Sequence, residues 1–211
     1  MWIVAQMMDA DVRREQVVEA VVAVIAERGL AETKLVTVAE RAGVSVGLVQ
    51  HHFRSKSQLL RSAVEHVSQR IEARVERIRD VRPLRVGFQE LAEVLLPLDD
   101  ERRREAVVWA AFVPVTAVDD DLAALHRAAL DRQLVGFERV FSAAQHLGEV
   151  PAGLDGRLES AALTAFLDGL SSCMLHSPDV YDGDTARRML GGYLDRIFAG
   201  RHTPGAEGAR S

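Results

Sequence analysis

The run Ala39-Glu40-Arg41-Ala42-Gly43-Val44-Ser45-Val46-Gly47-Leu48-Val49-Gln50-His51-His52-Phe53, followed directly by Arg54-Ser55-Lys56-Ser57, constrains this chain more than any other stretch. It reads as two short helices joined by a glycine turn, with a third helix opening at the Ser-Lys-Ser. Gly43 can take the left-handed backbone conformation that stops a helix without a Cβ clash. Ser45, two residues on, is a good N-cap for the next helix. A helix, a tight turn and a second helix at a steep angle make a helix-turn-helix, whose second helix fits a DNA major groove. The charge pattern agrees. Between Glu40 and Glu65 there is no acidic residue, while Arg41, Arg54, Lys56 and Arg61 all fall in that gap.

The rest of the chain carries helical periodicity and no strand pattern. Val17/Val18, Val21/Val22 and Val24/Ile25 draw one stripe on a first helix over 9–28, which Gly29 ends. A short helix follows from Thr33 or Lys34 to Ala42, then a recognition helix over 46–53 and a long amphipathic helix over 57–80. Pro83 marks a boundary. Beyond it helices are expected over 84–96, 101–118, 121–147, 154–176 and 185–199, with Pro114 kinking the second of these. Asp184 or Thr185 is the expected cap of the last. The chain is therefore all-α with about nine helices. Its expected parts are a three-helix domain over 9–60, a larger helical domain over 61–200 and a disordered tail over 201–211.

Composition narrows the function. A length of 211 residues, 48% hydrophobic and 27% charged, suits a globular protein with a sizeable core. The net charge of −5 means that any nucleic-acid contact must use a local basic face. The one cysteine, Cys173, cannot form an intramolecular disulfide, which fits a reducing cytoplasm. The apolar N-terminus is too short for a signal peptide, and no run reaches the roughly 18 apolar residues of a membrane span. The seven His residues show no ligand spacing with Cys, so no metal is expected. Cys173 and His176 lie one helical turn apart like a nucleophile and its base. Without an oxyanion device or an orienting carboxylate, packing is the better account, and neither catalytic residues nor a cofactor are expected.

The order Gly29-Leu30, Thr33, Leu35, Val38 through Ser45, Gly47, His52-Phe53, Lys56 and Leu59-Leu60 closely resembles the DNA-binding domain of TetR-family transcriptional regulators. Val108-Trp109-Ala110-Ala111-Phe112, Leu122 through Arg127, Leu167-Asp168-Gly169-Leu170 and Gly192 through Phe198 resemble the C-terminal domain of the choline-responsive, BetI-type branch. The resemblance implies a cytoplasmic, nucleoid-associated homodimer that binds a palindromic operator and represses until a small molecule binds. The ligand would shift the long helix and move the two reading heads apart. An activator, or a helical ligand-binding or enzymatic protein with a degenerate helix-turn-helix, is the alternative.

The resemblance also assigns roles. Ser45, Val46, Gly47 and Leu48 form the first turn of the recognition helix, nearest the base edges. Val46 and Leu48 can touch only thymine methyls or sugar. Gln50 stands where Tyr contacts a phosphate in the family, and can contact phosphate or pair with adenine. His51 projects from the same surface, whereas His52 is read as packing the helix pair. Lys56 is the phosphate anchor, and Thr33, Lys34 and Thr37 form a clamp at the second helix.

Two further sites are expected. The pocket walls would be Trp109, Phe112, Phe137, Phe141, Phe166, Cys173 and Met174, enclosing a largely apolar effector. The stripes Leu163, Phe166, Leu167, Leu170 and Met174, and Met189, Leu190, Tyr193, Leu194 and Ile197, fit a four-helix dimer interface as well as they fit monomer core. Of these, Leu163, Leu167, Leu170, Met189, Leu190, Tyr193, Leu194 and Ile197 are the expected interface. A two-fold dimer would set its recognition helices about 34–36 Å apart, one DNA turn.

Overall fold

The computed structural model describes the backbone of residues 2–78 and 81–198, with side chains from Val12 onward. The expected disordered tail lies outside the described residues. Within them the chain forms nine α-helices and one 3₁₀ turn, and no strand. The helices are α1 (Trp2–Arg28), α2 (Leu35–Ala42), α3 (Val46–His52), α4 (Lys56–Val75), α5 (Leu84–Glu93), α6 (Asp100–Phe112), α7 (Asp120–His146), α8 (Gly156–His176) and α9 (Gly183–Phe198).

Local chemistry accounts for most of the boundaries. Gly43 ends α2 at φ 67°, and the Ser45 hydroxyl accepts the Leu48 N–H at the start of α3. Ser55 caps α4 in the same way through Gln58. Asp99, Asp119 and Asp155 accept backbone N–H groups at the first turns of α6, α7 and α8. At α9 the cap is Asp182, which accepts the Thr185 N–H at 2.7 Å, rather than Asp184 or Thr185.

Three expected helices are shorter in the fold, and the one expected over 84–96 ends at Glu93, beyond which Leu95 and Leu96 donate to carbonyls three residues back. The helix expected over 57–80 ends at Val75, where Arg77 and Ile78 donate to carbonyls three residues back and tighten the last turn. The helix expected over 101–118 ends at Phe112. Pro114 has no N–H to continue the ladder, and residues Val113–Ala117 wind into a 3₁₀ turn instead of a kinked α-helix.

Two apolar clusters hold these helices. The first gathers Val17, Val21 and Ile25 of α1 with Val38, Val49, Phe53, Leu59, Leu60 and Val64, and extends to Val108 and Phe112 of α6 and Leu122 of α7. The second joins Phe88, Leu96, Phe137, Phe141, Leu163, Leu167, Leu190 and Leu194 from α5 through α9. Phe88 meets Phe141 edge-on at 4.8 Å and Phe137 at 5.4 Å, a favoured aromatic geometry. At 27 residues and about 1.5 Å each, α7 is a rod of about 40 Å that contributes to both clusters.

A charged seam crosses the first cluster. Glu105 of α6 is only 4% exposed, yet its carboxylate faces Arg70 Nε at 3.3 Å and pairs with Arg74, both from α4. Glu101 pairs with Arg70 at the rim of this site. Arg70 also reaches Glu19 of α1 at 3.1 Å, where His66 joins at 2.8 Å. Burying a carboxylate is costly unless its partners are retained. Glu105→Ala removes the buried anion that Arg74 and Arg70 share and should lower unfolding stability by about 3 kcal/mol in a urea titration. Glu101→Ala, at the exposed rim, should cost at most about 1 kcal/mol.

Candidate DNA interface and effector domain

The reading surface is assembled from the ends of three helices. The loop from α1 into α2 brings Lys34 to the surface, where it pairs loosely with Glu32 at 3.6 Å. Lys56, in the first turn of α4, is exposed and donates to the Ala31 carbonyl at 3.3 Å. Lys34 of the expected clamp and Lys56, the expected phosphate anchor, thus meet at the same loop. Thr37 is half-buried on α2. Along α3, Ser45, Gly47, Gln50 and His51 are exposed, whereas Val46 and Leu48 are half-buried. Val46 packs in part against the first cluster, so only its outer edge remains for contact.

Thr33 does not join this surface. It is 3% exposed and its hydroxyl donates to the Gly29 carbonyl at 3.0 Å. Its side chain ties off the end of α1, and the expected clamp is left to Lys34 and Thr37. His52 is half-buried beside Phe53, with ring centroids 6.2 Å apart.

Contacts that the sequence reading passed over frame the interface. The Ser57 hydroxyl donates to Asp119 Oδ2 at 2.9 Å, and Arg61 donates to the Asp121 carbonyl at 3.1 Å. They attach the first turns of α4 to the start of α7. Backbone and Ser57 hydrogen bonds hold the Asp119 carboxyl below its ordinary range. On the other side, Arg13 and Gln16 of α1 line a groove with Gly43, Val44, Ser45 and Leu48. The one signal for it in the sequence is the Arg13-Arg14 pair one turn before the Val17 stripe.

Comparison with known proteins decides the family. Residues 17–63 match the family model of bacterial regulatory proteins of the tetR family, and residues 85–199 match the BetI-type transcriptional repressor C-terminal domain. The chain belongs to the TetR family of transcriptional regulators. It is similar to the HTH-type transcriptional regulator BetI of Paraburkholderia phymatum, at 30% identity over 90% of this chain and 94% of that one. It is also similar to PksA of Bacillus subtilis, at 28% identity over 90% and 91%. A transcriptional regulator from Rhodococcus superposes with a TM-score of 0.79 at 31% identity, covering 88% of this chain and 95% of that one. One from Saccharomonospora viridis, solved in complex with choline, superposes at 0.82 with 22% identity, covering 88% and 96%. This TetR-family chain is a DNA-binding regulator, and no described helix is long and apolar enough to cross a membrane.

The C-terminal half redistributes the expected site residues. Trp109 and Phe112 pack with the first cluster, 5.3 Å apart and edge-on, beside His126. Phe137, Phe141, Phe166 and Met174 belong to the second cluster. Trp109 and Phe112 thus pack in a different cluster from Phe137, Phe141, Phe166 and Met174. A small, partly open cleft of about 50 Å³ lies along the charged seam, lined by Glu19, Val22, Ala23, Arg70, Glu101, Arg104 and Glu105. Cys173 is half-buried on α8. Asp168 of the same helix keeps an open side, yet the packed protein around it raises its carboxyl pKa against the pull of His126.

The interface expectation needs a larger correction. Leu163, Leu167, Leu170, Leu190 and Leu194 are at most 3% exposed within the single chain. They form its own core and have no surface left for a second subunit. Met189 stays exposed, and Tyr193 and Ile197 are half-buried. Tyr193 stacks on Phe166 at 4.8 Å. The outward face of α8 is instead a row of Leu158, Ala161, Ala162, Ala165, Gly169 and Ser172, all exposed and recurring at three- and four-residue spacing.

His52 gives the reading head a defined acid response. Loss of water around the ring pushes its pKa below 6.5, and the neighbouring charges of His51 and Arg14 push the same way. In the unfolded chain the ring protonates near its ordinary value, while the folded ring does so only at lower pH. The unfolded state then binds more protons, so this contribution to stability is present above pH 6.5 and declines as pH falls through the folded value. His52→Gln should flatten that decline, read as Tm against pH between neutrality and mild acid.

Proposed function

We propose that this chain is a repressor that binds a two-fold-symmetric operator as a homodimer in the cytoplasm, and that a small-molecule effector releases it. The observation that carries this reading is the convergence of Lys34 and Lys56 on one loop beside the exposed edge of α3. There Ser45, Gly47, Gln50 and His51 face outward beside the half-buried Leu48, with no acidic residue in the sequence between Glu40 and Glu65. Lys34, Thr37 and Lys56 hold the phosphate backbone, and Ser45 to Leu48 approach the bases. Gln50 can serve either purpose.

The second subunit docks on the outward faces of α8 and α9. Small residues at Ala161, Ala162, Ala165 and Gly169 let two helices approach closely, while Leu158 and Met189 supply apolar area. An isologous contact of this kind closes at two subunits, the symmetry a palindrome requires. The effector binds among α5 to α8, where the Phe-rich second cluster favours a largely apolar molecule. To act, it must bind the DNA-incompetent arrangement more tightly than the competent one.

A gel-shift titration with the duplex upstream of the coding region tests the DNA reading. Wild-type protein should retard it, and Lys56→Ala should weaken binding at least about tenfold, the loss of charge-assisted contacts in each subunit. An unretarded duplex sinks the proposal. Ala165→Arg should convert the dimer to a monomer by light scattering at unchanged helical content; a dimer that persists moves the interface elsewhere. In a thermal-shift panel, a fatty acid should raise Tm and release DNA. Choline doing so in its place would exchange the apolar effector for a cationic one.

A further inference from the structure

One acidic side chain stands inside the candidate phosphate surface. In the loop over 29–34, between α1 and α2, the exposed residues are Ala31, Glu32 and Lys34. Thr33 between them is buried, and its hydroxyl donates to the Gly29 carbonyl at 3.0 Å. The Thr33 N–H donates to the Leu30 carbonyl at 3.2 Å, and the Lys34 N–H closes back on the Glu32 carbonyl at 2.9 Å. With Thr33 pinned inward, its two neighbours are both left on the outer side. The Glu32 carboxylate lies 3.6 Å from Lys34 Nζ.

Both ammonium groups of this surface therefore already have an oxygen acceptor on the same short loop. Lys56 Nζ donates to the Ala31 carbonyl at 3.3 Å, one residue before Glu32. The Lys34–Glu32 pair is loose and wet, with side chains 66% and 60% exposed. Arg41 makes the contrast. Its guanidinium takes both carboxylate oxygens of Glu27, at 2.7 and 2.9 Å, and ties α2 to the end of α1. A fork of that kind is held by geometry as well as charge. A point-charge ammonium against one exposed carboxylate gains little in water. A DNA backbone, with one negative charge per about 1.7 Å of its axis, competes well for such a cation.

We propose that Glu32 is an internal stand-in for an operator phosphate. In the free protein its carboxylate holds Lys34 at the loop, and on binding the DNA backbone takes its place. This rests on the DNA-binding reading above. Glu32 is thus a positioning residue that acts through Lys34. It is also a brake. The phosphate gains Lys34 only by displacing an acid, and the displaced carboxylate is left close to the new anion, where like charges repel. A cation drawn from solution then screens the two, which offsets part of the counterion release that drives binding.

Salt dependence and a double-mutant cycle test the exchange. Binding to the upstream duplex is titrated at several KCl concentrations for wild type, Glu32→Gln, Lys34→Ala and the double variant. Asp131→Asn, an exposed acid on α7, serves as a remote charge control. At low salt and unchanged Tm, Glu32→Gln should tighten binding about two- to fivefold for each subunit, the range of an exposed ion pair. Its slope of log K against log salt should steepen by up to about 0.9 per subunit. In the Lys34→Ala background the same substitution should change binding by less than about twofold, the non-additivity of a coupled pair. Asp131→Asn should match wild type. A Glu32→Gln protein that binds no tighter, or with no steeper slope, overturns the stand-in and leaves the regulator reading intact. Equal tightening with and without Lys34 also overturns it, since that marks direct repulsion of the duplex. Wild-type protein that leaves the duplex unretarded overturns both readings.

Discussion

The fold hinges on a carboxylate taken out of water. Glu105 of α6 is buried against Arg70 and Arg74 of α4, and α4 is the helix that leads out of the reading head. A buried charge of this kind tolerates only one arrangement, because withdrawing either partner leaves the other stranded in a poor solvent. Apolar packing between α4 and α6 alone would permit sliding by a fraction of a turn. The guanidinium–carboxylate geometry does not, since its hydrogen bonds are directional. Glu19, Glu101 and His66 extend the seam to α1 and to solvent.

The opposite end of α4 is tied independently, by Ser57 to Asp119 and by Arg61 to the Asp121 carbonyl. The helix that presents Lys56 is thereby held near both ends by elements of the effector domain. α7 supplies one tie and α6 the other, with the 3₁₀ turn at Pro114 between them. A change in the packing of either helix acts on α4 at a defined point. Under the proposed release by an effector, these two ties are where the effector domain would bias the position of α4.

What the amino-acid sequence made legible follows the range of the forces involved. The Gly43 turn, the Ser45 and Ser55 caps and the helical periods depend on residues within one or two turns, and all are readable from the chain. The burial of Thr33 was not, because a threonine at a helix start suits an outward phosphate contact as well as a bond back to Gly29. The pocket and the interface depend on which helix covers which face. Periodicity in α8 and α9 identifies an apolar stripe without naming its partner, and Leu163, Leu167 and Leu190 turned inward to one another. The outward row of Ala161, Ala165 and Gly169 carries little hydrophobic signal, so the stripe reading skipped it. Trp109 and Phe137 looked like walls of one chamber, but long-range packing sends them to different clusters.

The two clusters also bear on how such proteins can be recombined. The family matches divide the chain into 17–63 and 85–199, which invites grafting a new effector domain after α4. The packing does not divide there. Val108, Phe112 and Leu122 lie on the far side of that cut yet complete the core beneath α1 and α4. A chimera joined at the sequence boundary would set a foreign α6 and α7 against native reading-head residues and leave Arg70 and Arg74 without Glu105. The transplantable unit runs through the start of α7, so a graft has to carry α6 and the Pro114 turn with the reading head. Only the part of the chain built on the second cluster can be exchanged freely.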